Sequence, residues 1–149
     1  MITRPSILFV CRDNAGLSLM AEALTMHLYA RVRAFSAATA MAGPVDLVAL
    51  ECLEREGIAT DGLSAKPAEL FALSGAPRVD LAVALVEDAH RAARRLPWMH
   101  LLRLRGWGFE DITRVPDLKE RARGYRRLLP ELRAAITALV EQDFAPAAA

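Results

Sequence analysis

Ser6 to Leu28 reads SILFVCRDNAGLSLMAEALTMHL, and the rest of the chain can be placed around it. Ile7-Leu8-Phe9-Val10 is an apolar run too short for a helix and suited to a strand buried on both faces. Cys11 stands where that run ends. Arg12-Asp13-Asn14-Ala15-Gly16 supply a loop, in which Asn14 and Gly16 are the residues best able to take left-handed backbone angles. Ser18 is placed to cap the following helix, whose apolar positions Met20, Ala21, Leu24 and Leu28 share one face. A strand thus delivers a cysteine to a tight loop, and the loop feeds a helix N-terminus. Backbone N–H groups converge there and the helix dipole favours negative charge, the makings of an anion site. The same field is expected to favour a thiolate at Cys11. Without it, a strand-end cysteine is by default a small buried hydrophobe.

Outward from this stretch, apolar runs alternate with helical periods. The first helix is expected to end near Tyr29–Arg31, and Val32–Ser36 reads as a second strand. Gly43-Pro44 is a break, after which Leu47, Val48, Leu50, Leu53 and Ile58 describe a second amphipathic helix stopped at Gly57. Residues 60–78 carry Gly62, Pro67, Gly75 and Pro77 and read as a loop with a helical turn or two. Asp80–Val86 is a third strand and Glu87–Leu96 a helix after it. His100–Leu104 is a fourth strand, and Gly106–Asp111 an aromatic, glycine-bearing loop. A last helix runs from about Asp117 to Gln142, with Leu118, Ala122, Tyr125, Leu129, Leu132, Ile136, Leu139 and Val140 inward. Pro130 is expected to kink or divide it. Residues 145–149 read as a loose tail. Strands separated by helices imply an α/β fold, a three-layer sandwich with a four-stranded parallel sheet. Ligands bind such sheets at the carboxyl ends of the strands, where Cys11 stands.

Composition sets limits. The 149 residues fit one domain, 1–149, with 54% apolar and 25% charged residues. A net charge of +1 gives no whole-protein field for nucleic acid or membranes. Cys11 and Cys52 are too few for a disulfide framework, and Cys52 is expected to be a packing residue. His27, His90 and His100 lack metal-ligand spacing, so neither metal nor cofactor is expected; Arg91, Arg94 and Arg95 read as a solvated helix face, and Trp98 as partial core. The apolar run near the start is too short for a secretory leader, and no segment reaches membrane-spanning length, so the default location is the cytoplasm.

Cys11, Asn14, Ser18 and Met20-Ala21-Glu22-Ala23 resemble the phosphate-binding loop and first helix of the low-molecular-weight protein tyrosine phosphatases, and of the thioredoxin-coupled arsenate reductases that share their fold. In that family the loop runs from Cys through five residues to Arg and Ser. Here the spacing from Cys11 to Ser18 matches, but Leu17 stands at the arginine position and Asp13 where a glycine is usual. Ser36-Ala37-Ala38-Thr39 resembles the family's Ser-Ala-Gly-Thr after the second strand. Trp107-Gly108-Phe109-Glu110-Asp111-Ile112 is similar to the loop carrying the family's acid, with Asp111 in the acid position and Ile112 in place of proline.

The resemblance implies an assignment of roles. Cys11 would be the nucleophile, Asp111 the general acid and Ser18 a catalytic partner of the thiol. Arg12, Asp13, Asn14, Ala15, Gly16 and Leu17 would form the anion-binding loop, with Trp107 and Phe109 as pocket wall. The ligand implied is phosphate or a similar oxyanion, free or carried by a phosphorylated protein or small molecule. It also implies a deficit, because Leu17 offers no bidentate grip on phosphoryl oxygens and Asp13 adds negative charge. Arg12, one residue past the cysteine, is expected at the pocket rim. Phosphomonoester hydrolysis is therefore expected to be weak or lost. An anion- or phospho-ligand-binding descendant and a redox-sensing thiol protein are the alternatives. An arsenate-reductase relay lacks its cysteines: Leu85–Leu96 holds none, and Val86 stands about where the first would be.

Overall fold

The computed structural model describes residues 4–99 and 102–146. Its order is β1 (Ser6–Cys11), α1 (Leu17–Leu28), β2 (Arg33–Ala38), α2 (Leu47–Arg55), β3 (Leu81–Ala84), α3 (Glu87–Arg95), β4 (Arg103–Gly106) and α4 (Leu118–Asp143), with short 3-10 turns at 68–72 and 112–114. The strands form one sheet in the order β2-β1-β3-β4, every pairing parallel. Helices α1, α2 and α4 pack on one another, and α3 packs on β1, β3 and β4, giving the three-layer α/β sandwich. The loop at residues 60–78 holds its expected helical turn.

β1 is interior and buried along its whole length, which is why its sequence is a continuous apolar run rather than an alternation. Its neighbours lie on opposite sides, with Cys11 opposite Ala38 on β2 and Val10 opposite Ala84 on β3. The chain winds outward in both directions from β1, so the crevice beyond its carboxyl end is the topological switch point. Cys11 is the last residue of β1, buried at that end.

Several elements depart from the reading above. β2 runs to Ala38 rather than Ser36, because it pairs with β1 as far as Cys11 and then hands its edge to Lys66–Pro67 through the Ala38 amide. β4 begins at Arg103, where pairing with Leu81 begins, and reaches Gly106; His100 and Leu101 lie outside the described residues. So do Met1–Thr3 and Ala147–Ala149, the larger part of the expected tail. Pro130 does not divide α4. It lies on the exposed face, where the carbonyl that loses its N–H partner can meet water. Leu118 and Leu47, read as inward, are 62% and 73% exposed at the first turns of their helices. The inward face of α2 is Ala49, Cys52 and Leu53.

Candidate active site

The loop between β1 and α1 is held by its carbonyls. Cys11 O accepts from the Thr39 amide (2.8 Å) and hydroxyl (3.2 Å), Arg12 O from Ala40 N (2.8 Å), Asp13 O from Gly43 N (2.9 Å) and Ala15 O from Asp46 N (2.8 Å). The stretch 39–46 therefore clamps the loop from one side. Among the described residues, the amides of Arg12, Asn14 and Gly16 have no backbone acceptor, an arrangement that leaves an amide cradle. Asn14 makes the turn with φ 54°, a left-handed angle that asparagine tolerates. Its side chain donates to Ser18 Oγ (2.8 Å) and accepts from Lys66 N (3.0 Å), locking the turn from within.

Gly16, not Ser18, is the cap residue of α1, and no side chain caps that helix. A Cβ on Gly16 would overlap the Tyr125 hydroxyl and come within 2.8 Å of Thr113 Cγ2, so only glycine lets α4 close on the loop. Ser18 lies buried inside the first turn, its hydroxyl and amide both directed at Cys11. Asp46 anchors the other side: its carboxylate caps α2 at Val48 N (3.1 Å), accepts from Tyr125 Oη (2.7 Å) and pairs with Arg121 (3.3 Å). Asp46, Tyr125 and Arg121 went unassigned in the sequence because their partnership is long-range.

The thiolate expected at Cys11 is not favoured. The side chain is only 4% exposed, and burial pushes the thiol up to about 12. Asp111 and Asp13 push in the same direction, while the two donors of Ser18 oppose them and lose. Leu17 is buried in the core and supplies no charge. Arg12 is exposed.

Asp13 turns back on its own loop. Its Oδ1 accepts from the Ala15 amide at 3.3 Å, so a carboxylate already engages a loop amide between those of Asn14 and Gly16. Burial, followed by the nearby Asp111 charge, raises the Asp13 pKa against the help of those amides.

Asp111 faces this loop from the one after β4. Trp107 N and Phe109 N bond to Ala84 O and Leu85 O at the end of β3 (2.9 and 2.8 Å), with Gly108 turning at φ 68° between them. The Asp111 carboxylate accepts from Thr113 Oγ1 (2.5 Å) and pairs with Arg114 Nε (3.3 Å). A cavity of about 310 Å3 lies between the two loops, lined by Arg12, Asp13, Met41, Asp111, Thr113 and Arg114. Cys11 and Asp111 stand at the same edge of the sheet, but Cys11, which is buried, is not in that lining. Trp107 and Phe109 are not in that lining; Trp107 packs edge-on to Phe109 and tilted on Phe9, both at 6.0 Å, bracing the loop from behind. Arg114 is the cation that sequence reading missed; its only signal was its place three residues after Asp111. Cys52 opens onto a different cavity, between α2 and α4. Among the described residues no group of His, Cys, Asp and Glu could hold a metal ion, and no helix is long and apolar enough to cross a membrane.

A parallel α/β sandwich with a cysteine loop at its switch point and an acidic loop facing it defines a phosphatase-type class of fold. The chain belongs to the low molecular weight phosphotyrosine protein phosphatase family, whose description matches residues 6–144. Solved structures of the same fold include an arsenate reductase in the phosphate binding state (21% identity, TM-score 0.74, covering 93% of this chain and 98% of that one). They also include the arsenate reductase of Archaeoglobus fulgidus (24%, 0.70, 90% and 98%) and Vibrio vulnificus Wzb in complex with benzylphosphonate (17%, 0.72, 92% and 100%). No match is found among curated proteins.

Proposed function

We propose that this chain is a phosphatase-family protein in which Cys11-based hydrolysis of phosphomonoesters is weak or lost. The carrying observation is the lack of a cation against the thiol: Leu17 is buried where the family's arginine stands, and two carboxylates face Cys11. In the full reaction Cys11 Sγ would attack phosphorus as the P–O bond to the leaving group breaks. Asp111 would protonate the departing oxygen, and water would later cleave the S–P bond to release phosphate. Removing one preorganised donor to the developing charge costs about 2.7–4 kcal/mol, roughly 10²–10³ in rate. An absent guanidinium belongs at the upper end of that range.

The cradle itself supports oxyanion binding, because backbone amides and the α1 dipole do not depend on residue 17. Asp13 on the Ala15 amide weighs against turnover and tight binding alike, since its carboxylate stands among the loop donors that a phosphoryl group would use. Arg12 and Arg114 at the cavity are the positive charges left to draw an oxyanion in. The test is turnover of p-nitrophenyl phosphate by the wild type beside Cys11→Ser. Rates at or barely above the serine variant agree with the proposal. Turnover far above it, in the ordinary enzymatic range of about 1–10³ per second, contradicts it.

A further inference from the structure

A second cavity, of about 270 Å3, opens between α2 and α4, away from the Cys11 loop. Its lining is basic: Arg55 from α2 and Lys119, Arg123 and Arg126 from α4 line it, with Cys52 and the single carboxylate of Glu51. The whole chain carries only +1, so this groove concentrates charge that the rest of the surface balances. Arg55 is paired with Glu51 at 2.9 Å. Lys119, Arg123 and Arg126 have no carboxylate within ion-pair distance among the described residues, whereas their neighbours Arg121 and Arg127 are paired with Asp46 and Glu110.

Two features make this arrangement unfavourable in the free protein. Lys119 and Arg123 are four residues apart and Arg123 and Arg126 three apart, so like charges stack along one face of α4. Lys119 also sits in the first turn of that helix, at the positive end of its dipole. Arg126 and Arg55 lie near enough to Cys52 to act on its thiol, against the opposite and larger influence of Glu56. A bound anion would relieve the repulsion and gain from the dipole at once.

We propose that this groove is a second anion site, taking a compact polyanion with adjacent phosphoryl groups. One phosphoryl group would meet Arg123 and Arg126, and a second would reach Lys119 and Arg55. A cavity of this volume lies just below the range for drug-sized ligands, which favours a small polyanion over a folded partner.

The experiment is a titration of the 15N-labelled full chain with inorganic pyrophosphate at low salt. Saturable shifts are expected in residues 48–55 and 119–126, with a dissociation constant of about 0.1–1 mM, rising about tenfold in Arg123→Gln/Arg126→Gln. Inorganic phosphate alone should bind the groove about tenfold more weakly, and added salt should weaken both. Far-UV circular dichroism checks that the double variant folds, and Lys119→Gln gives an independent, smaller loss. No saturable shift in the groove by about 10 mM pyrophosphate, or equal binding by the double variant, would overturn the site. A peptide with two adjacent phosphoserines outcompeting pyrophosphate would overturn the small-ligand assignment. Shifts at residues 12–18 report the Cys11 loop separately, so the two sites succeed or fail independently.

Discussion

Tyr125 on α4 donates its hydroxyl hydrogen to Asp46 at 2.7 Å, and that single bond ties α4, α2 and the Cys11 loop together. Asp46 also caps α2 and, through its backbone amide, holds Ala15 O. The phenol itself lies against Gly16.

Tyr125→Phe should therefore destabilise the fold by about 1–2 kcal/mol, since it strands one lone pair of a buried carboxylate that still has Arg121. Gly16→Ala should cost about 1–3 kcal/mol by overpacking against that hydroxyl and Thr113. The double variant should recover part of the second loss, because the clashing oxygen is gone. Denaturant unfolding of the four proteins reads the coupling, and strict additivity would rule out the contact.

A second expectation concerns the thiol. With Cys11 raised to about 12 from an ordinary 9.0, the folded state favours the neutral form. Its contribution to stability is complete below pH 9.0 and is lost as pH rises toward about 12. Thiolate absorbance in a Cys52→Ala background should show no step near neutrality. Asp111→Asn should move the midpoint down, and Ser18→Ala should move it up, following the sign of each interaction. A step below pH 8, the range of activated thiols, would mean that the amide cradle outweighs burial.

The fold was legible because its signals are local. An apolar run of strand length, a loop with the right turn formers and a helix at 3.6 periodicity place β1, the Cys11 loop and α1 with no knowledge of the rest. What stayed hidden depends on residues distant in sequence. The start of α1 is set at Gly16 by a phenol from α4, so Ser18, a good cap on composition, lies inside the helix instead. The charge state of Cys11 turns on burial by the packed layers and on Asp111 across the crevice, neither of which loop text reveals. Arg114 joins the cavity through a 3-10 turn that has no periodic signature.

Asp13 is the residue expected to govern oxyanion affinity. Its pKa is raised above 3.8, so its contribution to stability is present below that value and is lost as pH rises through the folded pKa. Asp13→Asn keeps an acceptor for Ala15 N but removes the charge. Phosphate binding at neutral pH should tighten about tenfold, or ~1.4 kcal/mol. The wild type should gain affinity where acidification protonates Asp13, and Asp13→Asn should lose that part of the pH dependence. Titrations followed at residues 12–18 measure both, and unchanged affinity in the variant would show that the carboxylate does not compete with the anion.

Leu17→Arg should raise aryl-phosphatase activity, by about 10²-fold or more if the side chain reaches the cradle. One cause has two effects: the guanidinium would clamp the transferring phosphoryl oxygens and lower the pKa of a thiol whose charged neighbours are now the carboxylates of Asp111 and Asp13. The cost is a charge introduced at a core position, so the variant should be less stable unless the head group emerges into the cavity beside Asp13 and Asp111. Those carboxylates cut both ways, offering the new arginine partners while competing with the phosphoryl group for it. Leu17→Arg/Asp13→Gly should therefore be more active than Leu17→Arg alone. Cys11→Ser in either background should abolish the gain, since the nucleophile is gone. Asp111→Asn should slow the reaction most for substrates with poor leaving groups, where protonation of the departing oxygen matters most. The decisive comparison is kcat/KM for two aryl phosphates of different leaving-group acidity across these variants. A gain that survives Cys11→Ser would move the chemistry to another nucleophile, and no gain in a folded Leu17→Arg protein would mean that burial of Cys11, not the missing cation, limits turnover.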